Sequence, residues 1–399
     1  MMHNFHVRLV RMTALDRSTR IHGLDTLRAL AVSLVVLHHY ASYVSDSDIF
    51  GWIGEMGWAG VDLFFALSGY LIGNQIFKAM ASPDGFSLRH FYARRFLRTL
   101  PNFYVVLALY YLLPAFRGSA PLLPLWKYLS FTQNIELPTG TAFSHSWSLA
   151  IEEQFYVLLP AVALAAAALG NSRRAAWFAI ALAFGAGMLF RADAWLDHVQ
   201  GQADWMRNYY KYIYYSSFCR FDELLAGVAL ALARNQQPAL WERVARHGNK
   251  FALVGIAIVA VASALFLRDR YGFAVTVIGY PLLALGIAAL IFAAAAEGSV
   301  LRETRVPGAG SLALWSYAIY LIHKQLEILM GRYCRAAGYD VESPVVIALI
   351  LFVSVAAGWL LYRAVETPFM KLRERYVPSN SPARAEISAE PAVVQKEAA

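Results

Sequence analysis

LRALAVSLVVLHHY, residues 27–40, decides how this chain is read. Arg28 and His39 lie inside one apolar run, eleven positions apart. At about 100° per residue that spacing makes three helical turns plus about 20°. Both side chains therefore share a helix face, roughly 16 Å apart along the axis. An ionisable group inside a membrane span is costly and by default marks function. Two on one stripe point to a helix lining a polar passage. An arginine near lipid headgroups beside an unrelated packed histidine is the other reading, and spacing alone leaves it open.

The composition makes the bilayer the expected solvent. The chain has 399 residues, 58% of them apolar and only 16% charged, against about 25% charged in ordinary soluble domains. About ten segments approach the ~20 residues that cross a bilayer: 26–45, 58–77, 100–116, 147–169, 175–190, 218–233, 251–267, 272–294, 310–330 and 344–362. The predicted fold is all-α, a polytopic transmembrane helical bundle. Its domains are a basic cytoplasmic segment at 1–22, a membrane-embedded domain at 23–375 and a disordered cytoplasmic tail at 376–399. The opening residues are not expected to form a signal peptide, since they contain no apolar core before a cleavage site. The net charge of +8 comes from Lys and Arg concentrated in alternate loops, which predicts both termini cytoplasmic. That explanation leaves no need for a nucleic-acid partner. Cys219 and Cys334 form no metal or redox motif, and no metal is expected.

This topology sorts the polar residues by depth. Arg28 and the run FYARRFLRTLPNFY (91–104) fall towards the inner side. Arg94 and Arg98 share a helix face, Arg95 is their neighbour, and Pro101 is expected at the start of the third span. Guanidinium forks suit phosphate, although anchoring on anionic lipid would use the same charges. Histidines and carboxylates gather on the outer half. In GWAGVDLFFALSGYLI (57–72) the glycines permit close helix approach. Asp62 is suited to orient a histidine or bind a hydroxyl, and equally to cap a helix. Ser68 is expected to bond a backbone carbonyl. In SWSLAIEEQFYVLLP (146–160), Glu152 and Glu153 point about 100° apart. One of them is expected at a shared site, and Glu153 is favoured as the orienter of a histidine. His145 is expected to be solvated, and His323 reads as a packed core residue.

These segments, taken in order, resemble acyltransferase family 3, the membrane O-acyltransferases that include bacterial acetylases of O-antigen, exopolysaccharide and nodulation factors. The resemblance spans residues 22–375. It rests on Arg28-x10-His39, GVDLFFALSGYLI, Arg95-x-x-Arg98, WSLAIEEQFY, RFDELLAG, SYAIYLIH and YRAVETP. Lys324–Gln325 departs from it, because a proline usually follows the histidine soon after. Some relatives carry a hydrolase-like extracytoplasmic domain, which is not expected here. The resemblance implies acetyl-CoA or another acyl-CoA as the donor, reaching the protein from the cytoplasm. It implies a hydroxyl of a glycan or lipid-linked sugar as the acceptor, and the cytoplasmic (inner) membrane as the location. Arg94, Arg95 and Arg98 would then hold the donor's phosphates, and the thioester would reach His39 through one continuous passage. His39 would act as general base or carry the acyl group itself, with Arg28, Glu153 and Asp62 assisting. A transporter of a polar solute fits a polar stripe equally well by physics, but neither an internal repeat nor a broken pair of helices stands out in the sequence.

Overall fold

The computed structural model describes residues 21–83, 85–168 and 173–380. The lead-in at 1–22 and the tail at 376–399 lie outside these residues, apart from two positions of the first and five of the second. Every element among the described residues is helical. Ten helices run 15 residues or longer: α1 His22–Tyr43, α2 Ala59–Met80, α3 Leu88–Leu112, α4 Trp147–Ala168, α5 Arg173–His198, α6 Asp222–Gln236, α7 Gly248–Asp269, α8 Tyr280–Ala295, α9 Ala309–Ala336 and α10 Pro344–Leu361. A shorter helix, α11 (Thr367–Tyr376), follows. Each expected span falls on one of the ten.

Five segments are long and apolar enough to cross a membrane by length and composition: Ser144–Ala168, Arg174–His198, Gly248–Asp269, Val275–Ala295 and Pro344–Tyr376. The protein is a multi-pass membrane protein. The other five long helices are α1, α2, α3, α6 and α9; α1, α2, α3 and α9 carry the ionisable residues singled out above, except Glu152 and Glu153 on α4 and His145 in the turn before it. Among the apolar five, α5 and α7 bury only 11% and 17% of their most apolar windows, so they face outward. The polar-bearing helices are gathered behind them.

The third long helix begins earlier than the sequence suggests for the third span. Ser87 Oγ accepts from His90 N at 3.3 Å, and α3 then runs unbroken through Pro101. Proline removes one backbone donor, but neighbouring helices make such a position tolerable in a membrane span. The arginine run therefore lies on the same helix as the expected span and not on a short helix before it.

Close backbone approach sets the geometry of the centre. A methyl group at Gly69 of α2 would overlap the Leu224 carbonyl oxygen, and one at Gly227 of α6 would overlap that of Ala66. A methyl group at Gly60 would likewise strike the Ala31 carbonyl oxygen of α1. Beside this seam two ion pairs are sealed from solvent. Arg220 Nη2 donates to Asp62 Oδ1 at 2.6 Å, and Arg191 Nη2 lies 2.6 Å from Asp222 Oδ2. Arg191 also donates to the Cys219 carbonyl at 2.7 Å. The Arg220 guanidinium sits 4.5 Å from the centre of the Tyr280 ring and 4.8 Å from that of Tyr214. Removing one partner of a buried pair strands the other charge, at a cost of about 3–5 kcal/mol.

α1 packs against α9 and α2, and α9 against α10. At the far end of α1, Glu342 Oε1 accepts from Ser45 Oγ at 2.9 Å and from Asp46 N at 3.0 Å. Those bonds, the Ser45 hydroxyl foremost, hold the Glu342 carboxyl below the usual range. The connection between α9 and α10 is thereby tied to the end of the helix that carries Arg28 and His39.

Candidate active site

Arg28 and His39 line two different cavities. The Arg28 chamber, about 310 Å³, lies among α1, α2, α3, α4 and α9, with Arg95, Arg98, Ser68, Gln75 and Glu152 in its wall. Three guanidiniums thus face one carboxylate. Glu152 is already engaged, accepting from Ser68 Oγ at 3.0 Å and from Tyr156 OH at 3.0 Å. The Arg95 guanidinium stacks 3.7 Å from the centre of the Tyr156 ring, and its Nε is buried without an acceptor. An excess of oriented, incompletely satisfied N–H groups is a setting for a phosphate-bearing anion.

Arg94 does not join them. Its Nη1 donates to the Val377 carbonyl at 2.7 Å and its Nη2 to Glu374 Oε1 at 3.0 Å, which ties α3 to α11. Arg95 and Arg98 are three residues apart, a spacing that also shares a helix face. That face, and not the one shared by Arg94 and Arg98, turns inward.

The second chamber, about 610 Å³, is lined by His38, His39, His145, Tyr43, Trp58, Tyr210, Tyr214, Tyr215, Arg270 and Lys324, among others. His39 Nδ1 lies 2.7 Å from His323 Nε2, and His323 Nδ1 lies 3.0 Å from the Ile319 carbonyl oxygen. A carbonyl oxygen only accepts, so His323 carries its proton on Nδ1 and leaves Nε2 as an acceptor. With both rings neutral, His39 must then donate through Nδ1. Its own Nε2 keeps a lone pair, which is the state a general base needs. This tautomer is assigned from the partners' chemistry.

The expectation of a single open shaft is corrected. Val61 and Tyr320 line both chambers and form their common wall. Tyr320 OH donates to the His145 carbonyl oxygen at 2.9 Å and stands 2.6 Å from Ser148 Oγ. Because the tyrosine proton is committed to the carbonyl, Ser148 supplies the hydrogen of the second bond.

Several sequence expectations need relocation. His145 is not solvated: it is 3% exposed, and its Nε2 donates to the Leu321 carbonyl oxygen at 3.1 Å. Phe143, held in the left-handed region at φ 56°, turns the loop so that His145 meets His39, with ring centres 6.0 Å apart. His323 is fully buried, as a packed residue would be, but it also bonds His39. Ser68 bonds Glu152 and not a backbone carbonyl. Asp62 sits within the first turn of α2 and pairs with Arg220; it caps nothing. Glu153 lines a separate lateral groove with Phe96, Leu100 and Tyr104. The carboxylate that shares a chamber with Arg28 is its neighbour Glu152.

A multi-helix membrane protein with a guanidinium chamber backed against an imidazole chamber is suited to bring an anionic carrier to a proton acceptor. Comparison with known proteins agrees. The family model Acyl_transf_3, described as "Acyltransferase domain", matches residues 21–363. The chain belongs to acyltransferase family 3, the membrane O-acyltransferases. It is 30% identical over 239 residues to "Peptidoglycan O-acetyltransferase OatA" of Listeria monocytogenes, a match covering 54% of this chain and 35% of that protein. It is 29% identical over 385 residues to "Putative peptidoglycan O-acetyltransferase YrhL" of Bacillus subtilis, covering 87% and 54% respectively. The chain thus spans about half the length of one relative and about a third of the other. No solved structure matches it.

Proposed function

We propose that this protein moves an acyl group, acetyl foremost, from acyl-CoA to a hydroxyl of a cell-surface or exported glycan. Peptidoglycan is the glycan named for the relatives. In this reading the ten helices are ten spans of the cytoplasmic (inner) membrane, both termini face the cytoplasm, and the arginine chamber opens to that side. The donor supplies a thioester carbonyl and a thiol leaving group. Arg95 and Arg98 hold its phosphates, and Arg28 steers its arm towards the wall shared with the histidine chamber. The Tyr320 side chain must swing for that arm to pass. His39 Nε2 takes the proton of the acceptor hydroxyl as the oxygen bonds to the carbonyl carbon. The carbon–sulfur bond breaks, and the imidazolium returns the proton to the departing sulfur. The observation that carries this reading is the bond chain from Ile319 through His323 to His39, which leaves a lone pair on an imidazole lining the second chamber.

The test is incubation of the protein in membranes with radiolabelled acetyl-CoA. Label should appear on a glycan, and His39→Ala should abolish it while the protein still accumulates. Uptake of a solute without covalent label would favour a transporter instead, and normal labelling by His39→Ala would reject the assigned base.

A further inference from the structure

α9 runs unbroken from Ala309 to Ala336, through the Lys324–Gln325 step at which this chain departs from its family. Adjacent helix positions point about 100° apart. His323 meets His39 on α1, while Lys324 turns to the loop before α4, where its Nζ donates to Ser144 Oγ at 3.1 Å. Lys324 is 9% exposed and lines the histidine chamber. Its ammonium carries three donors, and Ser144 takes one of them. The ammonium lies 4.0 Å from the centre of the Tyr43 ring, whose centre is 5.7 Å from that of His39. A hydroxyl at His39 and an anion at Lys324 therefore fit on one sugar or on two adjoining ones.

Nothing in the chamber wall neutralises this cation. The wall holds Arg207, Arg270 and Lys324 but neither aspartate nor glutamate. Glu327, three residues along α9, is fully buried, and neither of its carboxylate oxygens accepts a hydrogen bond from Lys324 or any other donor. Arg270 Nε is also without an acceptor, its guanidinium stacked 4.7 Å from the centre of the Trp58 ring. Arg270 borders a neighbouring cavity as well, with Asp48, Glu55 and Asp269 in its wall, whereas Lys324 does not line that cavity. Arg207 is 76% exposed and lies 3.8 Å from Asp204, so it adds little. Lys324 is thus the cation most committed to the chamber, and a charge held this far out of water is costly without a partner.

We propose that the histidine chamber selects an acceptor sugar that carries a carboxylate, with Lys324 as the group that binds it and Arg270 in support. The two remaining donors of the ammonium match the two oxygens of a carboxylate, and such charge-assisted bonds are the strong ones. Held there, the carboxylate positions a nearby hydroxyl at His39 Nε2. A neutral sugar leaves the ammonium unpaired, so the wrong acceptor is penalised as well as the right one favoured. The proposal rests on the acyl-transfer reading and names the chemistry of its acceptor.

The full chain in nanodiscs of zwitterionic lipid tests it, with tetragalacturonate and its methyl ester, which share length, linkage and ring hydroxyls. In calorimetric titration the acid should bind about 10-fold or more tighter than the ester, and with radiolabelled acetyl-CoA it should show a kcat/KM higher by a similar factor, as a hydrogen bond to a charged group implies. Lys324→Gln should bring both ratios to within about twofold of unity. Lys324→Arg, which keeps the charge, should retain most of the preference, and Arg270→Gln should lower it by a smaller factor than Lys324→Gln. Equal use of acid and ester, preference for the ester, or a preference that survives Lys324→Gln would each overturn the proposal. If Lys324→Gln fails to accumulate, Arg270→Gln decides, and unchanged ratios there would overturn it. The two readings fail separately. Acid-selective binding that Lys324→Gln removes, without transfer of label, would refute the enzyme and leave the site standing. Label on both acceptors alike would refute the site and leave the enzyme, and absence of both binding and transfer would sink the site.

Discussion

The arginine chamber and the histidine chamber adjoin and share several helices, and both are rich in cations, yet only the second sets imidazoles among them. In the first, three guanidiniums face one carboxylate whose oxygens are occupied by Ser68 and Tyr156. Cationic surplus is left over for a visitor. In the second, the central groups are imidazoles that settle their protons among themselves and a backbone carbonyl. In the proposed function one chamber grips the donor and the other exchanges a proton. The lesson is that a polar stripe along one helix need not be one environment: Arg28 and His39 point the same way from α1 and meet different chemistry.

Breaking the contrast at the imidazole end should have the largest effect. His39→Ala should lower acetyl transfer about 10²–10⁴-fold, the range general-base catalysis supplies, with unchanged membrane abundance. A loss under 10-fold in a labelled acetyl-CoA assay would remove His39 from its role. Asp62→Ala attacks both chambers through their scaffold. It should destabilise the protein by about 3–5 kcal/mol, read as a lower unfolding temperature in detergent. A catalytic defect at full thermal stability would instead tie Asp62 directly to the chemistry.

The arginines sharpen the comparison on the other side. Arg95→Ala or Arg98→Ala should raise KM for acetyl-CoA roughly 10–100-fold, as loss of a hydrogen bond to a charged group implies, and should spare KM for the acceptor. Arg94→Ala, by contrast, should change either constant less than about twofold, since an exposed ion pair contributes little. If Arg94 matched its neighbours, the inward face of α3 would be misassigned. A further effect, of the size of the smallest change expected at Arg95 or Arg98, concerns the tautomer. His323→Leu should lower kcat about 10-fold, by the logic of a lost orienting bond, and His323→Gln should restore most of it because its carbonyl oxygen can accept from His39. Equal activity of the two variants would show that His323 only fills space.

Much of this was readable in the residues. The positions of all ten long helices follow from apolar runs of the right length, and the common face of Arg28 and His39 follows from helix pitch. What escaped the reading depends on partners distant in sequence. Asp62 was suited to cap or to catalyse until Arg220, on the approach to α6, claimed it. Glu152 and Glu153 are chemically equivalent in the sequence, and only the packing of α4 against α2 and α3 separates them. His145 needed the left-handed turn at Phe143 to be carried inward, and no periodicity reports a single unusual dihedral. The choice between Arg94 and Arg95 turned on α11, whose Glu374 lies far along the chain.

Tyr320 has one more consequence. A bore open from end to end would let ions and water short-circuit the gradient that a cell stores across its membrane. In the proposed function, this one ring, its hydroxyl fastened to His145 and Ser148, would keep that insulation intact at rest. Many copies could then sit in a membrane without draining it, and only a molecule able to turn the ring aside would pass.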